Sequence, residues 1–132
     1  MNTFERIAAA LFALAILGAS PIAAAQDKYP SKPIRLVVPY PPGATSDNVG
    51  RIIASKLQEA LGQPVVVDNR PGAGGTIGTD SVAKSAPDGY TLLSATNGFL
   101  AIAPHIMAVK YDPLKDFQTI SLVGDSYSVF AV

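Results

Sequence analysis

The chain has 132 residues, with 10 basic and 10 acidic side chains, 11 glycines, 11 prolines, and neither cysteine nor tryptophan. That length holds one domain and not two full ones, and the zero net charge excludes the basic surplus of a nucleic-acid or anionic-membrane binder. The lack of thiols rules out a disulfide framework and a thiolate metal site, and a single histidine, His105, rules out a multi-histidine metal centre.

The N-terminus comes first. Residues 7–18 (IAAALFALAILG) form an apolar run of 12 residues behind a short polar start carrying Arg6. The run is well short of the ~20 apolar residues that a membrane span needs. Ser20-Pro21 breaks it, and Ala23-Ala24-Ala25 precedes polar Gln26. This is the layout of a secretory signal peptide, with cleavage expected after Ala25. Residues 1–25 are therefore expected to be removed and residues 26–132 exported to the periplasm. Since no cysteine follows the apolar run, a lipid anchor on an N-terminal cysteine is excluded.

The exported part opens with DKYPSKP, an extended lead-in because two prolines forbid helix. IRLVVPY (residues 34–40) is β-branched and apolar, the pattern of a buried strand, and Pro41-Pro42-Gly43 ends it. Thr45 or Ser46 can cap the next helix, with Asp47 in its favourable first turn. Val49, Ile52, Ile53, Leu57, Ala60 and Leu61 recur at helical spacing and predict an apolar face. Gly62 is placed to stop this helix, and Pro64 blocks re-entry. VVVD (65–68) predicts a second strand and NRPGAGGTIG (69–78) a glycine-rich loop. Residues 76–84 predict a short helix with Ile77, Val82 and Ala83 as its apolar side. Pro87-Asp88-Gly89 is turn chemistry. YTLLSA (90–95) predicts a third strand, and residues 99–107 a helix despite Pro104. After a polar connection at 111–117, TISLV (119–123) and YSVFAV (127–132) predict two more strands.

Strands alternating with helices predict an α/β domain with a largely parallel sheet. In such sheets ligands bind beyond the C-terminal ends of the strands. Three strand-to-helix junctions there, residues 41–46, 70–76 and 94–98, are rich in Gly, Ser, Thr or Asn. Glycines admit a ligand close to the backbone, and free N–H groups at a helix start bind anions. Hydroxyls of Thr45, Ser46, Thr76 and Thr96 and the amide of Asn97 add donors. Three such loops on one edge suit a small carboxylate or phosphate. The same residues also serve as ordinary turns and caps, and spacing alone leaves both readings open. Sharper motifs fail: from Gly72 the dinucleotide register G-x-G-x-x-G reaches Ile77 where a glycine is required, and Gly75-Thr76 lacks the lysine of a phosphate loop. Gly43-Ala44-Thr45-Ser46 is not a nucleophile elbow, and His105 beside Pro104 reads as a structural or surface histidine. Arg70 reads as a structural partner of Asp68 or Asp47 ahead of a ligand contact. Asp112, Lys115 and Asp116 read as a solvated connection.

Four ordered motifs carry a resemblance. They are Tyr29-Pro30-Ser31-Lys32-Pro33-Ile34-Arg35 with Val37-Val38-Pro39-Tyr40-Pro41-Pro42-Gly43, then Leu61-Gly62-Gln63-Pro64-Val65-Val66-Val67-Asp68-Asn69-Arg70-Pro71-Gly72-Ala73-Gly74-Gly75. Ala86-Pro87-Asp88-Gly89-Tyr90-Thr91-Leu92 and Tyr111-Asp112-Pro113-Leu114-Lys115-Asp116-Phe117 complete the set. In this order and spacing the chain resembles the Bug family, the extracytoplasmic solute receptors of tripartite tricarboxylate transporters. The resemblance implies a periplasmic-binding-protein-like, type II, two-lobed α/β fold, of which residues 26–132 form the N-terminal part of the first lobe. It implies capture of a small organic acid and delivery to a membrane permease, with no enzymatic activity, cofactor, metal or nucleic acid. By position it makes ligand contacts of Pro42, Gly43, Ala44, Thr45, Ser46 and Asp47, of Gly72, Ala73, Gly74, Gly75 and Thr76, and of Thr96 and Asn97. Ala44 stands where the family usually has a second glycine, which requires a negative φ there. Family members run to roughly two to three times this length, as two lobes demand, so the resemblance implies a truncated receptor. The alternatives are a small exported hydrolase using Ser46 or Asp47, and a module that pairs through an open sheet edge.

Overall fold

A computed structural model describes residues 28–125. The expected signal peptide (1–25) and the expected strand at 127–132 lie outside the described residues. Three parallel strands form one sheet in the order β2-β1-β3: β1 is Ile34–Val38, β2 Val65–Asn69 and β3 Thr91–Leu93. Ile34 pairs with Val65 and Val38 with Asn69 on one side, and Arg35 with Thr91 on the other. β1 is central, so its residues are covered on both faces; Ile34, Leu36, Val37 and Val38 are all buried. The sequence predicted β1 two residues longer. Pro39 ends it because a proline cannot donate to a ladder.

Helix α1 (Thr45–Leu61) connects β1 to β2. Gly62 closes it in the left-handed conformation expected, φ 68°, donating its N–H to the Gln58 carbonyl. The start differs from expectation. Ala44 occupies the cap position and neither Thr45 nor Ser46 caps the helix through its side chain. The contact face also differs. Gly50 and Ala54 are buried, while Val49, Ile52 and Leu61 are exposed. Close approach decides this: a Cβ on Gly50 would lie 2.8 Å from Val38 Cγ2, so the small residues set the seam and larger apolar ones flank it. Ile34, Leu36, Val38, Ala54 and Val65 make the core on this face, with Leu57, Val67 and Leu92 packed against it.

Helix α2 (Thr76–Ala83) lies on the opposite face, where Gly78 approaches Pro39 and the Arg70 carbonyl. It buries Gly78 and Thr79 and leaves Ile77 57% exposed, against the apolar side expected from its sequence. The loop before it is shorter than predicted, because Asn69 belongs to β2.

The predicted helix at 99–107 is a π-helical turn, Gly98–Ile102, running into one turn of α-helix, α3 (Ala103–Ile106). Pro104 explains the shape. The Ala103 N–H reaches back to the Gly98 carbonyl, and Pro104 has no N–H to offer Phe99. The Tyr111 hydroxyl donates to the Phe99 carbonyl instead, and both residues are buried. The predicted strand at 119–123 does not form. Residues 119–125 have no regular structure, and Ile120 is 79% exposed. A strand needs a ladder partner, and among the described residues none lies beside this segment.

Candidate functional site at the strand C-terminal edge

Because all three strands are parallel, the junctions after them open on one edge, as the sequence predicted. β1 sits between β2 and β3, with α1 and α2 on opposite faces, so the chain reverses its winding at β1. Such a switch point is where α/β sheets form their binding crevices.

The junctions are bonded to one another through Tyr40 and Asn69. The Tyr40 hydroxyl lies 3.1 Å from Thr96 Oγ1, tying the first junction to the third. Its ring stacks at a tilt against Phe99, with centroids 6.0 Å apart. Asn69, the last residue of β2, donates its amide to the Tyr40 carbonyl at 3.1 Å and to Asp47 Oδ1 at 2.9 Å. The backbone adds Arg70 N–H to the Val38 carbonyl and Ser94 N–H to the Val37 carbonyl, each at 2.9 Å.

Asp47 is 2% exposed and fully engaged. Besides Asn69, its carboxylate accepts Arg51 Nε at 2.9 Å and the Gly43 N–H at 2.8 Å. The Arg51 hydrogen bond, then those from Gly43 and Asn69, outweigh burial and hold its pKa down to about 2 from 3.8. Arg51 also donates to Asn69 Oδ1 at 3.2 Å, closing a triangle of three side chains. The i, i+4 spacing of Asp47 and Arg51 is legible in the sequence; the third corner, Asn69, comes from a different strand and is not.

The first junction presents donors outward. Ala44 has φ −66° and ψ 158°, so the expected negative φ is met and the alanine is unstrained. The amides of Asp47 and Asn48 bond to the Ala44 carbonyl. The remaining first-turn amides, Thr45 and Ser46, have no intrahelical partner. Among the described residues neither hydroxyl makes a hydrogen bond, and no titratable base bonds Ser46. Pro42, Gly43 and Thr45 are exposed, Ala44 and Ser46 half-buried.

The second junction is a tight left-handed turn. Ala73 has φ 46° and Gly74 φ 65°, ψ 21°, and the Gly75 N–H bonds to the Gly72 carbonyl at 2.9 Å. Two successive positive φ values define a type I′ turn. Ala73 is the one non-glycine with positive φ among the described residues. Ala73 and Gly74 face solvent, Gly72 and Thr76 are half-buried, and Gly75 is buried under Phe99. The Thr76 hydroxyl donates to the Ala73 carbonyl at 2.9 Å and steadies the turn. In the third junction Thr96 is held by Tyr40 while Asn97 is exposed, with no side-chain bond among the described residues. Of the residues singled out from the sequence, the structure thus gathers all three sets on one edge but buries Asp47 and Gly75. Arg70 pairs with Asp68 at 2.7 Å, the structural role expected. Lys115 pairs with Asp112 at 3.0 Å in the exposed connection.

Two shallow clefts lie elsewhere on the surface, and Thr76 is the one candidate residue that lines either. One of about 180 Å³ is lined by Thr76, Ile77, Asp80, Val109 and Lys110. One of about 400 Å³ is lined by Leu100, Pro104, His105, Asp112 and Leu114. Neither is lined by residues of the first junction.

Comparison with known proteins places the fold. The tripartite tricarboxylate transporter family receptor profile matches residues 49–132. Protein BugT of Bordetella pertussis is 51% identical over 109 residues, covering 81% of this chain and 33% of BugT. A protein from the tcbD–tcbE intergenic region of Pseudomonas sp. is 42% identical over 131 residues, covering 99% of this chain and 39% of that protein. Among solved structures, a periplasmic transporter superposes with TM-score 0.63 at 45% identity, covering 66% of this chain and 30% of that one. MatC of Rhodopseudomonas palustris, solved with bound malate, superposes with TM-score 0.57 at 34% identity, covering 67% of this chain and 31% of MatC. The chain therefore spans about a third of the length of the relatives it matches. Its partial parallel sheet and covering helices are part of a periplasmic-binding-protein fold. With the profile covering more than half of its residues and the motifs in order, the chain belongs to the Bug family of tripartite tricarboxylate transporter receptors.

Proposed function

We propose that this chain supplies the N-terminal part of the first lobe of an extracytoplasmic receptor that captures a small carboxylate and hands it to a tripartite tricarboxylate permease. Its residues 1–25 direct export to the periplasm and are removed after Ala25. The observation that carries the reading is the shared edge. Three parallel strands end side by side, and the loops beyond them offer the Thr45 and Ser46 amides and hydroxyls and the Asn97 amide, none with a competing partner among the described residues. A carboxylate is an acceptor with two oxygens and favours the N-terminus of a helix such as α1. The malate bound by MatC, a structural neighbour, is a ligand of this chemistry. In this reading Pro42, Gly43, Ala44, Thr45 and Ser46 form one wall, Gly72, Ala73, Gly74 and Thr76 the second, and Thr96 and Asn97 the third. An open edge buries only one side of a small ligand. Closure over the other side is the work of a second lobe, as in hinge-closing receptors.

Calorimetric titration of the receptor purified from the periplasm of its native cell tests this. Binding of malate or another di- or tricarboxylate is the expected result, weakened by Ser46→Ala. Silence towards di- and tricarboxylates, amino acids and aromatic acids alike refutes it.

A further inference from the structure

Asp47 sits at the start of α1, in the middle of the proposed ligand edge, yet its side chain is 3% exposed. Three donors from three separate places converge on it. Gly43 comes from the loop ahead of the helix, Arg51 from one turn later, and Asn69 from the end of β2. Asn69 in turn holds the Tyr40 carbonyl, and Tyr40 holds Thr96. One carboxylate thus terminates a chain of contacts that runs from α1 through the end of β2 and Tyr40 to Thr96. We propose that Asp47 is a positioning residue: it pins the loop at residues 41–44 to β2 so that the Thr45 and Ser46 amides face the ligand, and it does not touch the ligand itself. The proposal rests on the carboxylate-receptor reading for its ligand arm only.

The chemistry of the three donors makes the residue type specific. A carboxylate has two acceptor oxygens and no hydrogen to place, so it satisfies three convergent N–H groups at once. An amide of the same shape offers one acceptor and turns its own NH2 towards N–H groups. Asp47→Asn therefore keeps the volume and breaks the pattern. Exchanging the pair, Asp47→Asn with Asn69→Asp, restores one carboxylate and one amide. The carboxylate, now at the end of β2, accepts Arg51 and the amide at the start of α1, whose oxygen is free for the Gly43 N–H. The Tyr40 carbonyl loses its donor and faces a carboxylate oxygen in its place, so the exchange restores the bonds to Asp47's partners and not the one to Tyr40.

Amide hydrogen exchange of the intact protein reads this directly, alongside malate titration. Asp47→Asn is expected to speed exchange at the Gly43 amide by about tenfold to a hundredfold while the β1 amides of Leu36 and Val37 keep their protection. The exchanged pair is expected to recover part of the Gly43 protection, because the Gly43 N–H regains an acceptor while the Tyr40 carbonyl does not regain a donor. Unchanged Gly43 exchange, or equal loss across β1, overturns the proposal, the second because it marks plain destabilisation. In the titration, malate affinity is expected to fall in Asp47→Asn and return in the exchanged pair. Affinity lost in both despite a recovered loop assigns Asp47 a direct ligand contact and overturns the proposal. The exchange arm decides the pinning role without any ligand, so a wild-type protein that ignores malate counts against the receptor reading alone.

Discussion

Gly75 tests whether the second junction is shaped by backbone conformation or by the side chain above it. Two costs meet at this residue. Its φ is +96°, and a Cβ built there would lie 2.5 Å from Phe99 Cδ1 and 3.3 Å from Pro39 Cβ. Its neighbour Gly74 has φ +65° with nothing within 4 Å of a built Cβ. Gly74→Ala therefore isolates the conformational cost, about 1–2 kcal/mol for an L-residue in the left-handed region. Gly75→Ala adds overpacking against a fully buried ring, about 1–3 kcal/mol more. With a urea m-value of roughly 1–3 kcal/mol/M, the midpoint of Gly75→Ala should fall below that of Gly74→Ala by about 1 M. The excess should vanish in a Phe99→Ala background, where the ring no longer meets the new methyl, giving a coupling of about 1–3 kcal/mol. Equal midpoints for the two single variants, or no coupling with Phe99→Ala, would refute the steric reasoning.

Other expectations follow from the same contacts. Tyr40→Phe removes the hydroxyl that joins the first and third junctions and should cost about 0.5–1.5 kcal/mol of stability. Thr96→Val should cost a similar amount, and the double variant no more than either, as read by denaturant melts. Tyr111→Phe leaves the buried Phe99 carbonyl unpaired and should cost about 1–3 kcal/mol. An undiminished melting temperature would show that carbonyl to be satisfied otherwise. For pH, Asp47 has a folded pKa of about 2 against 3.8 unfolded. Its contribution is therefore complete above about pH 4 and is lost as pH falls towards 2. Asp88 and Asp112 are also held low, the first chiefly by the Tyr90 N–H and the second chiefly by Lys115. Thermal melts between pH 5 and pH 2 should show a shallower acid decline in Asp47→Asn than in wild type, and identical slopes would refute the assignment.

The sheet was legible because its signals are local. Ile34–Val38 and Val65–Asn69 are short β-branched runs bounded by prolines and glycines, and the Gly62 stop follows from its own backbone freedom. What the sequence misread depends on partners distant in the chain. Periodicity ranked Ile52 and Val49 above Gly50, because it scores hydrophobicity and not how near a strand can come. TISLV has strand composition, but composition does not supply a neighbour to pair with. The π-helical turn at Gly98–Ile102 follows from a missing N–H at Pro104 combined with a hydroxyl from Tyr111, and only the first of these is local. In the candidate site the loops were legible from their Gly, Ser and Thr content, whereas the bonds among Tyr40, Asn69, Asp47 and Thr96 span 22 to 56 residues.

The burial of Asp47 also bears on how an anion could be held at this edge. A carboxylate in the first turn of a helix already answers the positive end of the helix dipole, and a second negative charge beside it would be repelled. Arg51 removes that objection. Its guanidinium lies 2.9 Å from Asp47 and is half exposed, so the pair is neutral as seen from the edge. In the proposed receptor the Thr45 and Ser46 amides, unbonded among the described residues, act on a ligand without a bare carboxylate behind them. Arg51→Met tests this separation of roles. It keeps much of the side chain's length and removes the charge, leaving Asp47 bonded to Gly43 and Asn69 but no longer neutralised. Malate affinity should fall, and fall more steeply at low salt, where the uncovered charge is least screened. A loss that does not depend on ionic strength would mean that Arg51 acts through packing alone and that the charge of Asp47 never reaches the ligand.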